Sequence, residues 1–266
     1  MAVSDAIVAD MGHSDSAHSL PDADKIEVLM SYASSYGLSL TPEQAKLLIQ
    51  HILLVIEKNK QLNLTRITSM ESALVLHALD SLLVVNIYDA SRVLTCCSAE
   101  QERFLDIGTG AGFPGIPFGI VTGMNGLLLD SVNKKVMAVR EFIGELGLTS
   151  QLTTSSLRAE ALAKTEGQSF SLVMARAVAS MNVLVEYASP LLQQHGLLIC
   201  SKARISDDEV QHALHTARLC GMKLVSRETF DLPHDLGHRE LFTFEKSSYP
   251  RLHLPRAIGM AKNKPL

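Results

Sequence analysis

A chain of 266 residues, 47% of them apolar, has the material for one large core or for a domain with a helical annex, which excludes wholesale disorder. Its longest aliphatic run, Ile52 to Ile56, is far too short to span a bilayer, and residues 1–24 hold five Asp and no Lys or Arg, unlike a secretory signal. The net charge of −4 is uneven: residues 1–24 carry −5, the rest sums to +1, and the end from Lys246 has five cations (Lys246, Arg251, Arg256, Lys262, Lys264) and no acid.

Residues 1–21 are polar and are expected to form a disordered extension. A helical N-terminal region is expected over 22–100. Its clearest helix opens at Thr41-Pro42-Glu43-Gln44, where Thr41 caps, Pro42 suits the first turn and Gln44 completes a capping box. Leu47, Leu48, Ile52, Val55 and Ile56 give that helix an apolar face. Thr68-Ser69-Met70-Glu71 reads as a second capping box opening a helix through Leu83. On it, His77 and Asp80 stand three apart, placed for a structural His–Asp hydrogen bond or for a site.

After Arg103 short apolar strands alternate with helical stretches over residues 101–266. Strands are expected at Phe104–Ile107, Leu127–Leu129, Leu152–Thr154, Leu172–Ala175, Leu197–Cys200, Lys223–Phe230 and Glu240–Phe244. Helices are expected after the first strand to about Val121 and over 133–146, 182–192 and 207–219, with Gly147 in the left-handed stop position. This alternation implies an α/β fold: a doubly wound, mostly parallel sheet with helices on both faces. Ligands on such sheets sit beyond the carboxyl ends of the strands, here at Gly108, Asp130, Ser155 and Arg176. The four cysteines (Cys96, Cys97, Cys200, Cys220) form no C-x-x-C pair, so no metal site is expected, and the usage suits a reducing, cytoplasmic setting.

The first strand end reads Asp106-Ile-Gly-Thr-Gly-Ala-Gly-Phe-Pro-Gly-Ile-Pro117. Glycines at 108, 110 and 112 let the backbone pass closely under a ligand, and prolines at 114 and 117 place the next helix start near Pro117. The spacing is not that of a dinucleotide loop, whose third glycine would fall at Phe113. Asp106 would repel a pyrophosphate but would suit a ligand with a sulfonium and an ammonium, such as S-adenosylmethionine. Asp130, twenty residues beyond Gly110, can accept both ribose hydroxyls of an adenosine ligand, or be a solvated strand-end acid.

With these residues in place, the chain resembles the bacterial 16S ribosomal RNA guanine-N7 methyltransferases, the methyltransferase G or glucose-inhibited division protein B family. The likeness runs from about residue 38 to 266. It is carried by Asn63-Leu-Thr65, His77-Ala-Leu-Asp-Ser81, the glycine loop with its two prolines, Leu129-Asp-Ser131 with Lys134-Lys135, Arg158-Ala-Glu160, Ala175-Arg-Ala177, and Tyr249-Pro-Arg251 with Lys264-Pro-Leu266. Leu76 stands where the family often has Arg, and Lys58 where it usually has Trp.

The resemblance implies the class I S-adenosylmethionine-dependent methyltransferase fold. It also implies cofactor contacts at Gly108, Phe113, Ala159, Glu160 and Arg176, joining Gly110 of the loop and Asp130 at the end of the second strand. Seen alone, Glu160 is a solvent-facing helix acid and Arg176 a surface cation or half of an ion pair. The implied reaction moves a methyl group to N7 of a guanine in the 530 loop of 16S ribosomal RNA, by a monomer without metal or membrane. That nitrogen has a free in-plane lone pair, so no catalytic acid or base is expected. Two alternatives are a methyltransferase on a small molecule or protein, and a non-catalytic RNA-binding assembly factor with a donor-like pocket.

Overall fold

The computed structural model describes residues 22–94, 102–176 and 178–266. The disordered extension expected over 1–21, and Cys96 and Cys97, lie outside the described residues. The N-terminal region contributes α1 (Asp22–Ser35) and α2 (Pro42–Leu62). Thr41 and Gln44 form the expected capping box at the start of α2, and Asn63 closes it in the left-handed conformation.

The next helix, α3, is in three parts: an α-helical turn (Met70–Ala73), a wider π-helical turn (Leu74–Leu79) and a further α-helix (Asp80–Leu94). Its start departs from the expected box. Ser69, not Thr68, is the cap, its hydroxyl accepting from the Ser72 N–H, and the helix runs well past Leu83. Met70–Ser91 is long and apolar enough to cross a membrane by composition, yet 78% of its most apolar window is buried within the molecule, as in a core helix.

Seven strands follow: β1 (Arg103–Ile107), β2 (Asn125–Leu129), β3 (Leu152–Ser155), β4 (Phe170–Arg176), β5 (Leu192–Lys202), β6 (Met222–Asp231) and β7 (His238–Lys246). Between them run α4 (Gly115–Thr122), α5 (Asn133–Glu145), α6 (Ala159–Thr165), α7 (Met181–Ala188) and α8 (Asp207–Leu219), and a one-turn helix, α9 (Met260–Asn263), lies in the tail. The sheet order is β3-β2-β1-β4-β5-β7-β6, with β1 to β5 parallel and β7 antiparallel to both its neighbours. This is the doubly wound, mostly parallel sheet expected. The order reverses between β1 and β4, which opens a crevice at their carboxyl ends.

Strand alternation divides the core in two. Phe104, Leu128, Leu172 and Ile199 face one way, onto α1 to α5, and Leu105, Leu127, Val173 and Leu198 face the other, onto α6 to α8. The N-terminal helices thus share a continuous core with the sheet. The clasp is reinforced by Tyr32 bonding His234 (2.7 Å), by the Tyr36 hydroxyl donating to the Asp231 carbonyl, and by Lys58 pairing with Glu141.

The basic tail packs irregularly against α8 and α7 rather than extending. The Arg251 N–H donates to the Leu219 carbonyl (2.8 Å), and the Thr216 hydroxyl to the Leu266 carbonyl (3.1 Å). Arg256 grips buried Glu186 through two hydrogen bonds (2.7 and 2.5 Å), and the buried Lys246 ammonium donates to the Leu192 carbonyl (2.6 Å). Two of the five tail cations are therefore structural, and Arg251, Lys262 and Lys264 remain exposed.

Candidate active site

At the carboxyl ends of β1 to β4 lies a cavity of about 470 Å³, within the range of small-molecule sites. Gly108, Gly110, Phe113, Asp130, Ala159, Glu160 and Arg176, all singled out in the sequence, line it.

The glycine loop is pinned to β2, with the Gly108 and Thr109 N–H groups both donating to the Leu129 carbonyl (2.7 and 3.0 Å). Gly108 has φ +74°, and a Cβ there would meet the Val178 methyls at 2.4 and 2.6 Å, so only glycine fits. Helix α4 begins at Gly115, two residues before the expected start. Pro117 falls within its first turn, where a missing N–H is harmless.

Asp106 does not behave as anticipated. It is fully buried, does not line the cavity, and its carboxylate accepts the Gly115 N–H (2.9 Å) beneath the loop. Burial pushes its pKa up to about 6, with Thr109, the Gly115 bond and the charge of Arg176 opposing in part. It braces the loop from beneath.

Asp130 does face the cavity. One carboxylate oxygen accepts the Gly110 N–H (3.1 Å) and the other the Val132 N–H (2.9 Å), which orients the group and leaves each oxygen a further lone pair. Glu160, in the first turn of α6, is buried and accepts the Gly259 N–H (2.8 Å) from the tail. Tyr187 of α7 lines the cavity beside it, its phenol pKa raised by burial first and by the charge of Glu160 second.

Arg176 ends β4 in an ion pair. Its Nη1 donates to the Leu76 carbonyl (3.0 Å) and to Asp80 (3.1 Å), whose other oxygen accepts from Arg239 Nε (2.9 Å). The anticipated His77–Asp80 hydrogen bond is therefore absent, because both arginines occupy Asp80 and the π-turn separates the two side chains. At position 76 it is the main-chain carbonyl, whatever the side chain, that meets Arg176.

His77 instead stacks on Phe113 (centroids 4.4 Å apart, planes within 7°), and Phe113 also stacks with His51 (4.3 Å) and underlies the Arg176 guanidinium (5.6 Å). Burial, with the charge of Arg176 adding repulsion at both and His51 adding to it at His77, lowers the pKa of His51 and of His77 to about 3, so both rings are neutral. Thr65, His77, Lys135, Arg158 and Tyr187 also line the cavity; of these the sequence reading gave a candidate role to His77 alone, with Asp80. Four of these sit in or beside motifs that carried the family resemblance, which was the available signal; Tyr187 had none. No group of three or more His, Cys, Asp or Glu able to hold a metal occurs among the described residues.

A family model described as rRNA small subunit methyltransferase G (GidB) matches residues 44–236. The chain is 36% identical over 241 residues to the ribosomal RNA small subunit methyltransferase G of Carboxydothermus hydrogenoformans, covering 90% of this chain and 98% of that one. It is 32% identical over 243 residues to the protein of the same name from Staphylococcus haemolyticus, covering 91% and 98%. A solved structure from Corynebacterium glutamicum is 16% identical with a TM-score of 0.50, covering 86% of this chain and 99% of that one, a likeness of fold alone. The strand order, with an antiparallel β7 between β5 and β6, is that of the class I methyltransferases. By the span of the family model and by identity over nearly its whole length, the chain belongs to the rRNA small subunit methyltransferase G family.

Proposed function

We propose that this protein methylates a guanine of 16S ribosomal RNA at N7, in the 530 loop, using S-adenosylmethionine and acting in the cytoplasm as a monomer without a metal. The observation that carries the proposal is the meeting of the glycine loop, Asp130, Glu160 and Arg176 on one cavity in a chain of this family. The donor set fits the cofactor. Asp130 offers free lone pairs to ribose hydroxyls, and the glycine backbone allows close approach without intruding side chains. Ala159 and Glu160 would edge the adenine, with Phe113 and Arg176 where the cavity turns from β1 to β4.

When bound, S-adenosylmethionine supplies a methyl group on a positively charged sulfur. The chain's own contribution is to hold and align the two reactants, which can be worth on the order of 7–11 kcal/mol. A guanine N7 lone pair needs no deprotonation, so this acceptor asks no general base of the chain. Arg176 remains available through its other N–H groups to a carboxylate or an RNA phosphate.

The test is incubation of the full chain with labelled S-adenosylmethionine and small ribosomal subunits or their RNA, followed by nucleoside analysis. Label in 7-methylguanosine of 16S RNA is expected. Label only on protein or a small molecule, or tight NAD binding without response to the methyl donor, would overturn the assignment.

A further inference from the structure

Two segments that carried the resemblance, Asn63-Leu-Thr65 and His77-Ala-Leu-Asp-Ser81, have no part in the donor site as described, yet the structure brings both to the cavity. Leu64, Thr65 and His77 line it from the helical region. The turn after α2 is held for the purpose: the Asn59 side-chain amide donates to the Thr65 carbonyl and accepts the Thr65 N–H, both at 2.9 Å. The Thr65 hydroxyl then meets His77 Nε2 at 3.1 Å, and the π-turn carries His77 onto Phe113. Such wide turns recur at functional sites.

The topology separates these residues from those proposed for ribose and adenine. Asp130 and Glu160 follow β2 and β3, on one side of β1, whereas His77 and Thr65 connect through Phe113 to Arg176 of β4, on the other.

We propose that Leu64, Thr65 and His77 form the acceptor end of the cavity, where the Thr65–His77 pair donates a hydrogen bond to the guanine O6 beside the methyl-accepting N7. This rests on the function proposed above. The pair has a hydrogen to give in one imidazole tautomer only. If the hydroxyl donates to Nε2, the remaining ring proton is on buried Nδ1 and cannot reach a base in the cavity. If Nε2–H donates to the hydroxyl, the Thr65 O–H is free. The surroundings also suit a base that becomes positive on methylation. His51 and His77 are uncharged, and the guanidinium at that end is paired with Asp80.

The full chain is compared with Thr65→Val, Thr65→Ser and His77→Phe, measuring S-adenosylmethionine affinity by calorimetry and kcat/KM on 16S RNA. Donor affinity is expected to stay within about twofold in all three. Turnover on RNA should fall about 10- to 100-fold in Thr65→Val and His77→Phe, with Thr65→Ser retaining most of it. An RNA carrying 2-aminopurine at the acceptor position keeps N7 but lacks O6. It should lose a similar factor with the unmodified chain and little more with Thr65→Val. Donor affinity falling in step with turnover would place these residues at the donor end. Undiminished turnover, or additive losses from Thr65→Val and the analogue, would equally overturn the proposal. If the unmodified chain binds donor but transfers nothing to RNA, it is the proposed function that has failed, and this assignment falls with it.

Discussion

Asp106 on β1 and Asp130 at the end of the neighbouring parallel β2 are close in register, with Ile107 opposite Leu129, yet they do opposite things. Alternation turns Asp106 to the face of Phe104, under α4, while Asp130 lies just past the end of β2 and points to the cavity. The folded pKa of Asp106, about 6, exceeds its ordinary 3.8, so folding favours its protonation, and the group that is ionised at neutral pH is held at a cost. Its contribution to stability is fully present below about pH 3.8 and is lost as pH rises through 6. Asp106→Asn keeps an acceptor for Gly115 without the charge. At pH 7.5 it should be more stable than the unmodified chain by on the order of 1–3 kcal/mol, the gap closing near pH 4 in urea titrations. A less stable variant at pH 7.5 would mean that Thr109, Gly115 and Arg176 together outweigh the burial cost of the charge. Asp130→Ala should weaken S-adenosylmethionine binding by roughly 1.5–3 kcal/mol in calorimetry, through missing ribose hydrogen bonds and a loosened Gly110. Unchanged affinity would reduce Asp130 to a brace for the loop. The glycine spacing and Asp130 were legible because they follow from local backbone demands. The inward turn of Asp106 was also legible, in principle, from alternation along β1. Thr65 and Tyr187 were not, because packing alone brings them to the cavity.

Helix α3 shows where sequence patterns stop informing. Its apolar residues from Leu74 to Val85 cover every side, so periodicity gave no end point, and Leu83 was too early a stop. The π-turn has no local signature either. It places the Leu76 carbonyl and Asp80 against Arg176, a partner one hundred residues away from that carbonyl. Asp80, nearly fully buried, serves both Arg176 and Arg239 and so ties α3 to β4 and β7. Removing its charge leaves two guanidinium groups uncompensated in a low-dielectric setting, and Asp80→Asn should lower unfolding stability by about 3–5 kcal/mol. Arg239→Gln should cost less, because Asp80 keeps Arg176. Guanidinium titrations of both variants check the order. Equal, small losses would show that packing alone fixes α3 against the sheet.

At the scale of the molecule, the order of strands and helices was readable because each element announces its period, and the seven strands fall where alternation placed them within a few residues. What was not readable is that the helical region and the sheet are built around a common core, since burial against a distant element leaves no separate mark on either sequence. The tail poses the same difficulty, as five cations without an acid look alike until their partners are known. The structure sorts them. Arg256 is the partner of Glu186, whose side chain is only 4% exposed, and deleting that cation strands a buried carboxylate. Arg256→Gln should therefore lower the thermal midpoint, with little change in the salt dependence of RNA binding. Arg251, Lys262 and Lys264 are exposed, and among the described residues no ion pair holds their side chains. Neutralising these three together should leave the midpoint and donor affinity alone. If they meet phosphates, RNA binding should weaken similarly for different sequences, because phosphate contacts position without specifying. The log–log salt slope should then flatten by roughly 0.7 to 0.9 for each phosphate no longer engaged. Titrating 16S RNA into both variants at several salt concentrations, with thermal midpoints measured alongside, separates the two roles. A triple variant with an unaltered salt slope would leave the tail a structural strap and move the RNA contacts to the cations at the cavity mouth, Lys135 and Arg158.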